Sequence, residues 1–216
     1  MKRLILIFMI LGVFLTTDAQ TPVRDAWLSM PDNIIGYLNK NLRQEHLDYI
    51  NMKVKSEVKN QFLGQGVMDS LSTHYLSIHL NDVTDLQLAV FETQDSVAPV
   101  YCMIKTVKMP YADSDISFYN ADWSRIPHHF GLPFTSERDS LFNTFTVRPD
   151  TMNVERYEEL KAMMDPIGLK ISCLKDGNTL LFEISAPYMN KDEEQQIRAI
   201  IKQRKYKWDG KIFNES

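Results

Sequence analysis

The stretch from Pro110 to Trp123, PYADSDISFYNADW, concentrates acidic, hydroxyl and aromatic side chains that could do chemistry. Asp113 and Asp115 stand two residues apart, and Ser114 lies between them. A calcium loop needs several converging oxygens and usually a glycine at its tight turn, and no glycine follows these residues. Ser114 also lacks the flanking glycines that expose a nucleophilic hydroxyl at a strained turn. Because Asp and Ser side chains bond to their own backbone in turns, we interpret the stretch as the end of a β-hairpin.

Two adjacent histidines, His128 and His129, lie in the long loop WSRIPHHFGLPF, residues 123–134. A zinc site needs three or four ligands, and neighbouring side chains of an extended chain point apart. Loops nevertheless carry function more often than cores do. We therefore predict a ligand-binding surface formed by Tyr119, Trp123, His128 and His129. The sequence predicts no catalytic residue, no metal ligand and no cofactor.

The N-terminus has the layout of a cleaved signal peptide. Lys2 and Arg3 precede an apolar run, Leu4–Leu15, and a small residue, Ala19, stands where a signal peptidase would cut. The run is shorter than the roughly 20 residues that a membrane helix needs. No cysteine stands at the cut, which disfavours a lipoprotein. We expect residues 1–19 to be removed and the remaining chain, without a transmembrane segment, to be periplasmic or extracellular.

Composition narrows the classes of partner and of site. The formal net charge is −4, and no cluster of basic residues is strong enough to predict a nucleic-acid partner. Apolar residues make up 44% of the chain, which is enough for a packed core. Cys102 and Cys173 both fall in predicted strands. They are interpreted as small buried residues, with a disulfide or a reactive thiol as the alternatives.

The first half of the chain predicts helices on an antiparallel meander. Pro31 is placed to begin one helix, and residues 43–50 have the pattern of a second. The runs HYLSIHL, LQLAVFET, VYCMIKTVKM and DISFYN then follow, bounded by turn-forming residues. Apolar residues alternate along the first two runs, which predicts strands buried on one face. We assign this unit to residues 20–133.

The second half predicts a different order of elements. NTFTVRP, residues 143–149, reads as a strand and VERYEELKAMM as a helix. LKISCLK and TLLFEISA form a hairpin, Asn190 opens another helix, and YKWDGKIF reads as a last strand. Strand, helix, strand, strand, helix, strand is the ferredoxin-like order βαββαβ, assigned to residues 134–216. The predicted class is therefore α+β.

Three stretches carry a resemblance to a known family: LSMPDNIIGYLNKNLRQEHLDYIN, GQGVMDSLSTHYLSIHL and PYADSDISFYNADW. They resemble markers of an uncharacterised family of secreted proteins from Bacteroides-type gut and oral bacteria, known as a domain of unknown function. The resemblance covers most of the mature chain and is more specific in its first half. It implies an exported bacterial protein, and it implies no activity whose catalytic residues could be assigned here.

These observations favour a non-enzymatic binding or interaction module whose ligand is an unknown protein, peptide or glycan. A junction between two units offers a groove, where ligand sites often lie. Aromatic rings there could stack on a sugar or grip a peptide. The alternatives are a hydrolase with a site assembled around the loop of His128 and His129, and an accessory subunit of an envelope complex.

Overall fold

The computed structural model of the chain describes residues 21–62, 64–94, 98–133, 138–187 and 190–216. The predicted signal peptide, residues 1–19, lies outside these residues, and so does the start of the predicted second unit at 134–137. No helix in the described ranges combines the length and the apolar character that a membrane crossing requires.

The described residues form five helices and eleven strands. The helices are α1 (Pro22–Ser29), α2 (Lys40–Asn51), α3 (Arg138–Phe145), α4 (Val154–Met163) and α5 (Lys191–Arg198). The strands are β1 (Ser56–Lys59), β2 (Gln65–Leu71), β3 (Tyr75–Asn81), β4 (Thr84–Phe91), β5 (Val100–Val107), β6 (Asp113–Tyr119), β7 (Arg125–Ile126), β8 (Gly168–Cys173), β9 (Thr179–Ser185), β10 (Arg204–Trp208) and β11 (Phe213–Glu215). The molecule is therefore of mixed α+β class.

The first seven strands form one sheet in chain order, β1-β2-β3-β4-β5-β6-β7, and every neighbouring pair is antiparallel. This confirms the predicted meander. Alternation along the strands divides the sheet into two buried faces. One face carries the helix-side core, which includes Trp27, Leu38, Leu47, Leu76, Ile78, Leu88 and Trp123. The other face carries the inter-sheet core, which includes Cys102, Phe118, Phe145, Ile171, Phe182 and Trp208.

The helix predicted to begin at Pro31 is not present. α1 ends just before Met30, and residues 32–37 form turns. The physical reason is the buried guanidinium of Arg43 on α2. It donates to the carbonyl oxygens of Met30 and Leu38, the latter at 2.8 Å, and forms an ion pair with Asp32 at 3.0 Å. These contacts hold the connection between α1 and α2 as a loop around the guanidinium of Arg43.

The ferredoxin-like order is not what the structure shows. The second sheet runs β11-β10-β9-β8 with antiparallel neighbours only. The first predicted strand, residues 143–149, is instead the end of α3 followed by a single bridge between Thr146 and Ile201. Phe145 stacks on Phe182 with ring centroids 6.5 Å apart. This packing favours the helix, although the β-branched residues of the segment favour a strand.

The inter-sheet core joins side chains from both halves of the sequence. Cys102 and Phe118 come from the first sheet, whereas Ile171 and Phe182 come from the second, and all four belong to one buried cluster. The predicted division of the chain after residue 133 stays a prediction.

Candidate functional site

The aspartate and serine that open β6 bind the backbone of another strand. β8 is an edge strand of the second sheet, so alternate N–H groups along it have no partner in that sheet. The N–H of Leu169 donates to Asp113 Oδ1 at 3.0 Å, and the N–H of Ile171 donates to Ser114 Oγ at 3.0 Å. The N–H of Cys173 donates to Gln87 Oε1 at 2.8 Å. These side chains therefore serve as a substitute strand for the edge of β8.

The predicted hairpin end is thus displaced by a few residues. The turn occupies residues 108–112, and Asp113 and Ser114 lie inside β6. The turn packs closely on the second sheet, because a Cβ at Gly168 would stand 2.5 Å from the carbonyl oxygen of Ala112. The N–H of Ala112 donates to Ser185 Oγ at 3.0 Å. Glycine is required at residue 168 for this approach.

Tyr119 and Trp123, two of the predicted binding residues, lie together on the helix-side core. Their ring centroids are 5.3 Å apart, and Trp123 also lies 5.0 Å from the ring of Tyr101. Trp123 Nε1 donates to Ser29 Oγ on α1 at 3.2 Å. Trp123 is only 7% exposed, so it anchors the exit of β6 to the first helix.

His128 and His129 lie beside rings of the inter-sheet core, on the other side of the large sheet. The His128 ring is 4.4 Å from Phe130, and the His129 ring is 6.4 Å from Phe118. Phe130 also contacts Trp208, at 5.3 Å, and its carbonyl oxygen accepts the N–H of Phe213 at 2.9 Å. This loop therefore fastens the C-terminal hairpin. The structure does not bring the four predicted residues to one surface, and their role in binding stays a prediction.

A serine and a histidine that sequence reasoning missed meet inside the fold. Ser56 Oγ lies 2.7 Å from His46 Nδ1 and donates to the carbonyl oxygen of His46 at 3.0 Å. The hydroxyl therefore accepts the proton on Nδ1. Burial lowers the pKa of His46 to about 4. His46 is fully buried and its Nε2 has no hydrogen-bond partner, so this pair lacks the carboxylate and the access that a hydrolytic site requires.

A second polar network crosses the large sheet at its surface. His79 Nδ1 lies 2.5 Å from Asp85, and His79 Nε2 lies 3.2 Å from Asp69. Lys108 pairs with Asp85 at 2.9 Å, and Ser77 donates to Asp69 at 3.1 Å. The Ser77 hydroxyl contacts the Asp69 carboxylate and not the His79 imidazole, so His79 is not placed to take the proton of this hydroxyl. The network links β2, β3, β4 and the residue that follows β5 by their side chains.

Both cysteines are free thiols in the core. Cys102 is fully buried and Cys173 nearly so. Burial raises the pKa of both thiols, and the proximity of the two groups raises the pKa of Cys102 further. This agrees with the interpretation of small buried residues and opposes a reactive thiolate. In the part of the chain that the structure describes, no group of three or more His, Cys, Asp and Glu side chains is arranged to hold a metal ion.

An open cleft of about 810 Å³ lies where the turn after β5, the end of β9 and α5 meet. We name it the α5 cleft. Its apolar lining includes Tyr111, Ile184, Pro187, Ile197 and Ile201, of which Ile184 and Ile197 are buried and the others are partly exposed. Sequence patterns did not predict it, because it is assembled from three separate segments whose side chains read as ordinary strand and helix residues.

The walls of the α5 cleft carry charge pairs of both signs. Lys170 binds Glu183 at 2.7 Å across β8 and β9. Arg198 binds Glu194 at 2.5 Å, one turn apart on α5. The side chains of Arg198 and Glu194 are 74% and 51% exposed, so both are accessible to a ligand while bound to each other.

The fold has a relative among solved structures. A domain of an uncharacterized protein from Porphyromonas gingivalis W83 superimposes with a TM-score of 0.67 at 16% sequence identity. The likeness covers 91% of this chain and 98% of that one, and at this identity it shows a shared fold alone. No curated protein matches the chain.

The family is shown by a match that spans nearly the whole sequence. Residues 14–213 fit the family model described as "Protein of unknown function (DUF3256)". The resemblance to an uncharacterised family is thereby confirmed, whereas export stays a prediction. The chain belongs to the DUF3256 family of proteins of unknown function.

Proposed function

We propose that this protein is an exported, non-enzymatic binding module that holds a segment of polypeptide in the α5 cleft. The observation that supports this most is the composition of the cleft: apolar side chains flanked by accessible ion pairs of both signs. Its volume of about 810 Å³ is within the range of common ligand sites. Export is inferred from the signal-like N-terminal sequence and from the family resemblance.

A polypeptide fits this surface better than a uniformly charged or wholly apolar ligand. Tyr111, Pro187 and Ile201 line the cleft and are partly exposed, so they can cover apolar side chains of a partner. Arg198 and Glu194 can exchange their mutual contact for contacts with a partner of either charge. A chain with mixed side chains uses both kinds of surface at once.

The side chains that could take part in catalysis make other contacts within the fold, which favours binding over hydrolysis. Asp113 and Ser114 bind the edge of β8, and Ser56 lies against an imidazole without access to solvent. The rival proposal, a hydrolase centred on His128 and His129, would need a nucleophile beside this loop. It predicts cleavage of a bound ligand.

A charge swap tests the site. Peptides selected from a random phage-displayed library against the purified protein should bind it, and their affinity should fall about tenfold or more in the variant Glu194→Arg with Arg198→Glu. This variant keeps the net charge and a pair at the same spacing. The matched control is Lys55→Glu with Glu57→Lys, an ion pair at the edge strand β1 of the large sheet, in which Lys55 is exposed and Glu57 is partly exposed.

The control swap should leave the affinity unchanged. Urea denaturation should show that both variants are folded, with the α5 swap less stable by about 1 kcal/mol or less, because it places Arg in the first turn of the helix and Glu in the last. Equal affinity of the selected peptides for the α5 swap would refute the proposed site. Peptide fragments appearing in mass spectra after incubation would support the hydrolase instead.

A further inference from the structure

The outer face of the second sheet carries an excess of positive charge on an otherwise acidic protein. The segment KQRKYK, residues 202–207, contains four cations among six residues and no carboxylate. It forms most of β10, where Tyr206 and Trp208 are buried and Lys205 and Lys207 are exposed. Short runs of this kind mark surfaces that bind polyanions.

Strand register defines the surroundings of these lysines. Lys205 stands opposite Leu181 of β9, and Leu181 stands opposite Ser172 of β8. Lys207 stands opposite Asn214 of β11. We name Lys205, Lys207, Ser172, Leu181 and Asn214 the lysine face. The two ammonium groups extend from positions about 7 Å apart along one strand.

The carboxylates near this face are already bound to the protein. Asp176 accepts the N–H groups of Asn178 and Thr179, and Asp209 accepts those of Lys211 and Ile212. Glu183 pairs with Lys170, and Glu215 pairs with Arg204 at 3.2 Å. Neither Lys205 nor Lys207 forms a direct ion pair with a described residue, although the charge of Lys207 acts on Asp176 and favours its ionised form.

We propose that the lysine face docks an anionic polysaccharide. Charge complementarity supplies the attraction, and at physiological salt charges more than about 8 Å away are largely screened, so the acidic remainder of the protein opposes it weakly. Ser172 on β8 and Asn214 on β11 lie on opposite sides of the two lysines. The Ser172 hydroxyl and the Asn214 amide oxygen offer hydrogen bonds to sugar hydroxyls, whereas Asn214 Nδ2 already donates to Asp209 at 2.7 Å. The site is distinct from the α5 cleft and does not depend on the proposed peptide ligand.

Two other polyanions fit this face less well. Membrane surfaces are gripped by apolar side chains inserted beside the cations, and the large exposed apolar side chains among the described residues lie outside β8, β9 and β10. Single-stranded nucleic acid is bound by stacking on exposed rings, and the aromatic residues of β10, Tyr206 and Trp208, are buried on the opposite face.

The test is retention on immobilised heparin over a gradient of sodium chloride. The original protein should be retained at low salt, and the variant Lys205→Glu with Lys207→Glu should lose about tenfold or more in affinity, with a shallower dependence on salt. The matched control, Lys40→Glu with Lys59→Glu, changes two exposed lysines by the same total charge on α2 and β1.

The control variant should be retained like the original protein, and so should the charge swap of Glu194 and Arg198 in the α5 cleft. A negative result in the peptide experiment would therefore not affect the proposal for the lysine face. Equal losses in both lysine variants would show a response to net charge alone and overturn the proposal. Absence of retention would overturn it too, as would stronger binding to vesicles of equal parts phosphatidylcholine and phosphatidylglycerol, or to single-stranded DNA.

Discussion

Ser114 on the large sheet and Ile171 on the second sheet are joined by a hydrogen bond in which the hydroxyl oxygen accepts the backbone N–H at 3.0 Å. The same hydroxyl lies 2.8 Å from the hydroxyl of Thr106 on β5. A side chain that could have been read as a nucleophile thus completes the hydrogen bonding of an edge strand. The chemistry of this residue is used for assembly of the fold.

Replacing Ser114 by alanine should lower the free energy of unfolding by about 1–2 kcal/mol, because the N–H of Ile171 loses its acceptor in a partly buried place. Urea denaturation measures the change. Ser172→Ala is the control, since Ser172 lies on the outer face of the second sheet, and it should change stability by less than about 0.5 kcal/mol. Equal effects of the two substitutions would contradict the role of Ser114.

Replacing Arg43 by methionine should cost about 3–5 kcal/mol, because buried carbonyl oxygens of Met30 and Leu38 lose a charged donor. Arg24→Met is the matched control on α1, where the guanidinium contacts Asn51 at the surface. It should cost less than about 1 kcal/mol. Thermal unfolding followed by circular dichroism distinguishes the two, and a mild effect of Arg43→Met would show that the loop does not depend on this cation.

Acid should destabilise the protein partly through His46. The folded protein holds the pKa of His46 at about 4, below the ordinary 6.5, because the ring is buried. Between these pH values the unfolded chain takes up a proton that the folded chain does not, so stability falls as pH falls. The loss attributable to His46 is about 3 kcal/mol once pH is below 4.

Urea denaturation of the original protein and of His46→Gln at pH 7 and at pH 4.5 isolates this contribution. The glutamine variant is expected to be less stable at pH 7, since its amide must replace the imidazole next to Ser56, and to lose less stability on acidification. Parallel losses in the two proteins would show that other groups control the acid response.

The loop of the two histidines should depend on its phenylalanine for stability. Phe130→Ala should cost about 2 kcal/mol or more, because Phe130 contacts Phe118 and Trp208 and fastens the C-terminal hairpin. His128→Ala removes an exposed ring and should change stability by less than about 0.5 kcal/mol. A larger effect of His128→Ala in thermal unfolding would give that histidine a structural role that its exposure does not predict.

The strands of the first half could be predicted because their burial is one-sided. Leu76, Ile78 and Leu80 alternate with polar residues, and all three are fully buried on the helix side. The N-cap at Asn190 was equally visible, and its side chain accepts the N–H of Glu193 at 2.9 Å. Local patterns determine such elements, so the sequence alone reveals them.

Contacts between distant segments determined the elements and the site that the sequence did not reveal. The segment around Phe145 is helical because of its packing on Phe182, and the connection after Met30 is a loop because Arg43 binds it. The four candidate binding residues are close in sequence but not in space. Tyr119 and Phe118 are neighbours in β6, yet their side chains enter opposite cores, and the predicted residues divide in the same way.

The most direct test is to map where a library-selected peptide binds, by recording amide chemical shifts of the isotope-labelled protein during titration. The proposed function predicts shifts concentrated at residues 108–112, 183–187 and 194–203, which surround the α5 cleft. Shifts concentrated at residues 119–130, with the α5 cleft unaffected, would contradict it and would place the binding site at the loop of Trp123 and the two histidines.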